Sequence, residues 1–234
     1  MHPIKQGGIE AAVIVAPGAS IKGSAYVPLV QTLQNVSPLK LWVVIMDNFL
    51  IGAVNPAQLP QAINMAIKSL RQAGFKSDNI FLAGHSLGGA MTAMHASSDS
   101  KLKGAILFAA YLTNGNHLKD YPIPVLTISG DLDGLTRITR IVSSFEDLED
   151  SIQKASNSLY RTPVIVMPGV NHAQFATGDM PSNVKQHDLP SDSTEGEAHM
   201  AIAKYTSAFL NSIITGVDQK LVKDAKKHAG KWLQ

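Results

Sequence analysis

The stretch that most constrains this chain runs Asn79-Ile80-Phe81-Leu82-Ala83-Gly84-His85-Ser86-Leu87-Gly88-Gly89-Ala90-Met91. Apolar residues in succession read as a buried strand, and the small residues after Gly88 read as a helix packed close to it. Between them lies a turn with a single hydroxyl at its centre. Gly84 and Gly88, two residues to either side of Ser86, leave room for strand and helix to touch. Such a turn lifts the serine clear of the sheet and aims the N–H of Leu87 into the same space. A glycine-rich packing turn shares part of this pattern. The strand before it, the helix after it and the doubled glycine favour an exposed nucleophile.

The rest of the chain supplies a sheet for that turn to stand on. Strands are expected over 9–15, 41–46, 80–83, 104–109, 125–129 and 164–167, and helices over 26–34, 56–74, 138–160 and 198–214. Alternation of this kind describes an α/β chain, a mostly parallel sheet of about six to eight strands with helices on both faces. The 111–122 link is too short for a large cap domain, and the polar stretch 177–197 has no buried-element pattern, so it reads as a surface excursion near the site. Residues 1–216 read as one domain, with 217–234 as a basic amphipathic tail helix carrying Lys220, Lys223, Lys226, Lys227 and Lys231. A net charge of +2 is too small to imply nucleic acid, and no apolar run is long enough for a transmembrane span. Cysteine is absent, which removes thiol nucleophiles and thiolate metal sites. A cytoplasmic location fits, as does secretion with a leader already removed. Oligomeric state is not legible.

A serine hydroxyl needs a base within reach, and the base needs an orienting carboxylate. The fifth strand runs into Ser129-Gly130-Asp131-Leu132-Asp133-Gly134, and the sixth into Pro168-Gly169-Val170-Asn171-His172-Ala173-Gln174-Phe175. Loops at the carboxyl ends of parallel strands share one edge of the sheet, so Ser86, Asp133 and His172 are expected together. Asp133, with Gly134 behind it, reads as the orienting acid, and Asp131 as a residue that shapes the turn. The negative charge of a tetrahedral intermediate needs donors. Leu87 N–H is one, and Ala19 N–H, in the Ala16-Pro17-Gly18-Ala19-Ser20 turn after the first strand, is the other. Residues expected around the pocket are Ser20, Tyr26, Asp47, Asn48, Phe49, His85, Ala173 and Phe175, with His85 shaping the elbow from beneath. His187, Asp188, Glu195, Glu197 and His199 lack metal-ligand spacing, and no metal is expected there.

Over residues 9–214 the chain resembles an α/β-hydrolase, and Gly84-His85-Ser86-Leu87-Gly88-Gly89 is similar to the lipase and esterase form of the nucleophile elbow. Pro17-Gly18-Ala19, the capless layout and Gly130-Asp131-Leu132-Asp133 resemble the cutinase-like, polyester-hydrolase-like, dienelactone-hydrolase-like and chlorophyllase-like branches. The resemblance implies a Ser86-His172-Asp133 triad, Ala19 and Leu87 as oxyanion donors, and no cofactor. The implied activity is hydrolysis of a small-molecule or lipid-like carboxylic ester with a short to medium acyl chain. Alternatives on the same apparatus are a thioesterase, an amidase, or a lipase whose 177–197 loop closes as a lid. A binding protein on a hydrolase fold is the different-class rival. The chain departs from the family in starting at what looks like the third of eight strands, so the first antiparallel edge is expected to be missing.

Overall fold

The computed structural model describes residues 1–47, 49–50, 52–113, 115–154, 161–216, 223–227 and 231. The β-branched and apolar runs form six strands: β1 (Glu10–Ala16), β2 (Lys40–Ile45), β3 (Ile80–His85), β4 (Gly104–Phe108), β5 (Val125–Gly130) and β6 (Val164–Met167). They make one sheet in the order β2-β1-β3-β4-β5-β6, and every neighbouring pair is parallel. All residues of β3 to β6 are buried, which is why these strands carry continuous apolar runs rather than alternating ones.

Helices cover both faces: α1 (Val27–Val36), α2 (Leu59–Gln72), α3 (Leu87–Ala96), α4 (Ile138–Lys154), α5 (Ser182–His187) and α6 (Glu195–Thr215). Residue parity on β3 assigns two of them. Phe81 meets Phe209 of α6 on one face, whereas Gly84, of opposite parity, lies against Gly88 and Thr92 of α3. α1 packs with α6, α2 lies beside α3, and α4 covers β5 and β6. β1 leads outward to β2, and the chain then returns to β3 on the other side of β1. That reversal is a topological switch point, and it sets the turn after β1 beside the turn after β3.

Several boundaries differ from expectation for local reasons. β3 runs on to His85 because β4 keeps pairing it, His85 opposite Phe108. α2 begins at Leu59 rather than 56, since Asn55 Oδ1 accepts the N–H groups of Ala57 and Gln58 and holds a separate turn. The excursion over 177–197 is not featureless: it holds α5, with Met180 and Val184 buried, and α6 starts inside it. Thr194 and Glu197 form the capping box that starts α6. No antiparallel strand is present among the described residues. The outer edge of β2 is met instead by Met1, whose amino group donates to Val43 O at 2.6 Å and whose carbonyl accepts Val43 N–H. The expected tail helix is described only over 223–227, where Ala225 is buried, and at Lys231; its other positions, like 155–160 of the helix expected over 138–160, lie outside the described residues.

Candidate active site

At the end of β3 the chain turns through Ser86 with φ 53° and ψ −123°, and α3 starts at Leu87. A side chain in that backbone region costs about 1–3 kcal/mol, so packing must hold it there. The packing is backbone against backbone. A Cβ at Gly84 would stand 2.4 Å from Gly88 O, and one at Gly88 would stand 2.3 Å from Pro17 O. Only glycine permits α3 to approach both β3 and the turn after β1. Ser86 is half-buried and Leu87 is 38% exposed, so the hydroxyl reaches the surface at the carboxyl edge of the sheet. Leu87 is the first residue of α3, and its N–H has no acceptor within the helix.

The turn after β1 lies alongside, because Ala16 pairs with Gly84. Ala19 is exposed there. The amides on both sides of it are engaged: Gly18 N–H donates to Tyr26 Oη at 2.8 Å, and Ser20 N–H to Gly52 O at 2.7 Å. Ser20 itself sits at φ 59°. With Asp47 and Phe49 it lines a cavity of about 230 Å³, and Asp47 also accepts from Gly23 N–H. Asn48 lies outside the described residues. Larger cavities run along α6 and between α2 and α3, the second near the opposite end of the sheet from Ser86.

Three expected pocket residues do not line an open cleft. Tyr26, His85 and Phe175 have no exposed surface. They form a layer beneath the site. Tyr26 Oη, which accepts from Gly18 N–H, shares a hydrogen bond of 2.8 Å with His85 Nδ1, and the His85 ring stacks on Phe175 and lies tilted 4.7 Å from the His172 ring. Burial first, and then the neighbouring His172, push the His85 pKa well below the ordinary histidine value, while burial raises the Tyr26 phenol above its usual range. Both groups stay neutral. The layer ties the β1 turn to the elbow strand without placing a charge under the serine.

On the other side of Ser86, Asp133 and His172 are buried and paired, His172 Nδ1 to Asp133 Oδ2 at 2.9 Å. A carboxylate only accepts, so Nδ1 holds the proton and Nε2 holds the lone pair. Among the described residues, His172 Nε2 has no hydrogen-bond partner although it is buried. Ser86 Oγ and Nε2 are thus not hydrogen-bonded in this structure, a contact that often tightens only when substrate is bound. The other oxygen of Asp133 accepts from Leu135 N–H at 2.9 Å and Thr136 N–H at 2.6 Å, which fixes the carboxylate plane. Asp131 faces elsewhere and accepts from Gly169 N–H at 2.8 Å, a bond across to the base loop and not within its own turn.

Sequence reasoning weighed Asp188 only as a metal ligand and gave it no part in the site. Its carboxylate accepts from the backbone of both the 133–134 and 172–173 loops, Ala173 included. No pattern marks it, because its partners are main-chain N–H groups whose side chains carry no information. Among the described residues no group of three or more His, Cys, Asp or Glu is placed to hold a metal ion, and no described helix is long and apolar enough to cross a membrane.

Residues 12–188 match the alpha/beta hydrolase family. Among solved structures, the chain is similar to a Klebsiella pneumoniae subsp. pneumoniae protein described as a dienelactone hydrolase, with a TM-score of 0.57 and 15% identity. The likeness covers 89% of this chain and 90% of that one, and at this identity it speaks to the fold. No curated protein matches the sequence.

Proposed function

Because the chain belongs to the alpha/beta hydrolase family, we propose that it hydrolyses carboxylic esters of short to medium acyl chain through an acyl-serine intermediate on Ser86. His172 Nε2 takes the proton as Ser86 Oγ bonds to the carbonyl carbon. The carbonyl electron pair moves to oxygen, where the N–H groups of Leu87 and Ala19 receive it. As the tetrahedral centre collapses, His172 returns the proton to the departing alcohol. Water then repeats the sequence, giving its proton to Nε2 and releasing the acid. Asp133 keeps the proton of His172 on Nδ1 throughout.

The observation that carries the reading is the buried His172–Asp133 pair, its Nε2 without a hydrogen-bond partner among the described residues, on loops at the same sheet edge as the strained Ser86 turn. The catalytic unit is residues 1–216, with 217–234 appended. Several hydrogen bonds tie residues 188–193 to the His172 loop, which favours an open cleft over a closing lid. A p-nitrophenyl ester series of increasing chain length tests the reading, together with mass mapping of a fluorophosphonate adduct. Ser86→Ala should lower kcat by about 10⁶-fold, the scale seen when a triad nucleophile is removed, and should abolish labelling. Wild-type turnover in that variant would end the serine-hydrolase reading.

A further inference from the structure

The segment joining α5 to α6 carries a carboxylate that the reaction steps above do not use. Asp188 Oδ1 accepts from Gly134 N–H at 3.1 Å and from His172 N–H at 3.1 Å, and Oδ2 accepts from Ala173 N–H at 2.8 Å. Gly134 follows the acid directly, and His172 is the base itself. One planar, acceptor-only group therefore bridges the two loops whose side chains must meet. β5 and β6 stop pairing at Gly130 and Met167, and the main-chain bonds that continue between the loops, Asp131 N–H to Met167 O and Leu132 N–H to Val170 O, stop short of Asp133 and His172.

Tight packing shows that this bridge is built in. A Cβ at Gly134 would stand 1.8 Å from His187 O, so the chain just before Asp188 presses on the acid loop where only glycine fits. Beyond Asp188 the strand of chain binds the base loop again. Asn171 Nδ2 donates to Leu189 O at 2.7 Å, Gln174 Nε2 donates to Ser193 O at 2.7 Å, and Gly169 O accepts from the amides of Asp192 and Ser193. Hydrogen bonds to an ionised acceptor are shorter and stronger than neutral ones, and a main-chain donor fixes backbone rather than a movable side chain.

We infer that Asp188 is a positioning residue: it sets the spacing of the acid and base loops and so holds His172 against Asp133. The inference rests on the reading of His172 as the base. Misplacing a catalytic group by about 1 Å can cost on the order of 10²-fold in rate, and that is the loss expected on removing the bridge.

Asp188→Ala should lower kcat about 100-fold on a soluble short-chain ester while KM changes by less than about threefold, since Asp188 donates nothing to substrate. Asp188→Asn keeps an oxygen for Gly134 and His172 but turns an amide N–H2 toward Ala173 N–H. Its loss should be intermediate, about 10-fold. The spectroscopic readout is the low-field proton resonance of His172 Nδ1–H, recorded on the full chain and assigned by its loss in Asp133→Ala. Asp188→Ala should broaden or shift it while thermal unfolding stays cooperative. Wild-type kcat with an unchanged resonance in both Asp188 variants would overturn the inference. If Asp188→Ala fails to fold, Asp188→Asn decides by the same two measurements. Failure of the serine-hydrolase reading would appear separately, as an active Ser86→Ala enzyme, and would leave the resonance arm of the test intact.

Discussion

Around Ser86 the site is held by backbone pressed against backbone, whereas around His172 such contacts, at Gly130 and Gly134, are joined by carboxylates that accept backbone N–H groups. In the nucleophile half, Gly84 and Gly88 bring β3, α3 and the β1 turn within van der Waals contact, and the supporting layer of Tyr26 and His85 is neutral. In the acid–base half, Asp131, Asp133 and Asp188 each accept main-chain N–H groups from other positions of the two loops. The difference follows from what each half must resist. A serine with φ 53° relaxes unless repulsive contact on every side prevents it. The acid and base leave strands that have stopped pairing, and the main-chain bonds between their loops end at Leu132 N–H and Val170 O. Charge-assisted hydrogen bonds carry the tie on to Asp133 and His172.

The largest effect that would sharpen this contrast lies within the acid–base half. In Asp133→Asn the amide oxygen is held by Leu135 and Thr136, so the N–H2 faces His172 and drives its proton onto Nε2. The base is then in the wrong tautomer, and kcat should fall about 10⁴-fold, as it does in serine proteases that lose the orienting acid. Asp131→Asn still offers an oxygen to Gly169 N–H and should change kcat by less than about threefold. Steady-state kinetics on both variants decides it. Equal losses would erase the division of labour between the two aspartates.

A smaller effect probes the nucleophile half. Tyr26→Phe removes the only hydroxyl between Gly18 N–H and His85 Nδ1 and leaves a buried amide unsatisfied. About 1–3 kcal/mol of stability should be lost, with kcat down roughly 10-fold as the Ala19 turn loosens. Urea unfolding and ester kinetics measure the two separately. If stability fell while kcat held, the Tyr26–His85 layer would support the fold without positioning the turn.

The smallest effect is electrostatic. The folded pKa of His85 lies well below its unfolded value of about 6.5. Between those two values the unfolded chain takes up a proton that the native protein does not. Stability should therefore fall as pH drops below about 6.5, by up to about 1.4 kcal/mol per pH unit from this one group. His199, also lowered by burial, acts in the same direction from α6. Replacing His85 with Asn, which can still hydrogen-bond Tyr26, should flatten the acid limb of a stability–pH curve by one group's slope. An unchanged limb would mean that His85 is protonated in the native state, and the neutral support beneath Ser86 would need another account.

How far the molecule was legible in its sequence divides along the same line. β-branched runs, helical periodicity and the Gly84–Gly88 turn mark interactions between residues close in the chain, and those signals located all six strands and the elbow. Strand-end loops share an edge in a parallel sheet, so the meeting of Asp133 and His172 followed from chain order alone. Side-chain identity did not reveal which aromatics face a cleft. Tyr26 and Phe175 are compatible with pocket or core, and only the packing of α6 and the β1 turn put them beneath the site. The extent of β3, the start of α2 and the order within 177–197 were likewise decided by partners distant in sequence or by local caps. Asp188 is the clearest case. A carboxylate that binds main-chain N–H groups leaves no complementary residue to read, because every non-proline residue carries the same donor, and only the folded chain determines which ones it meets.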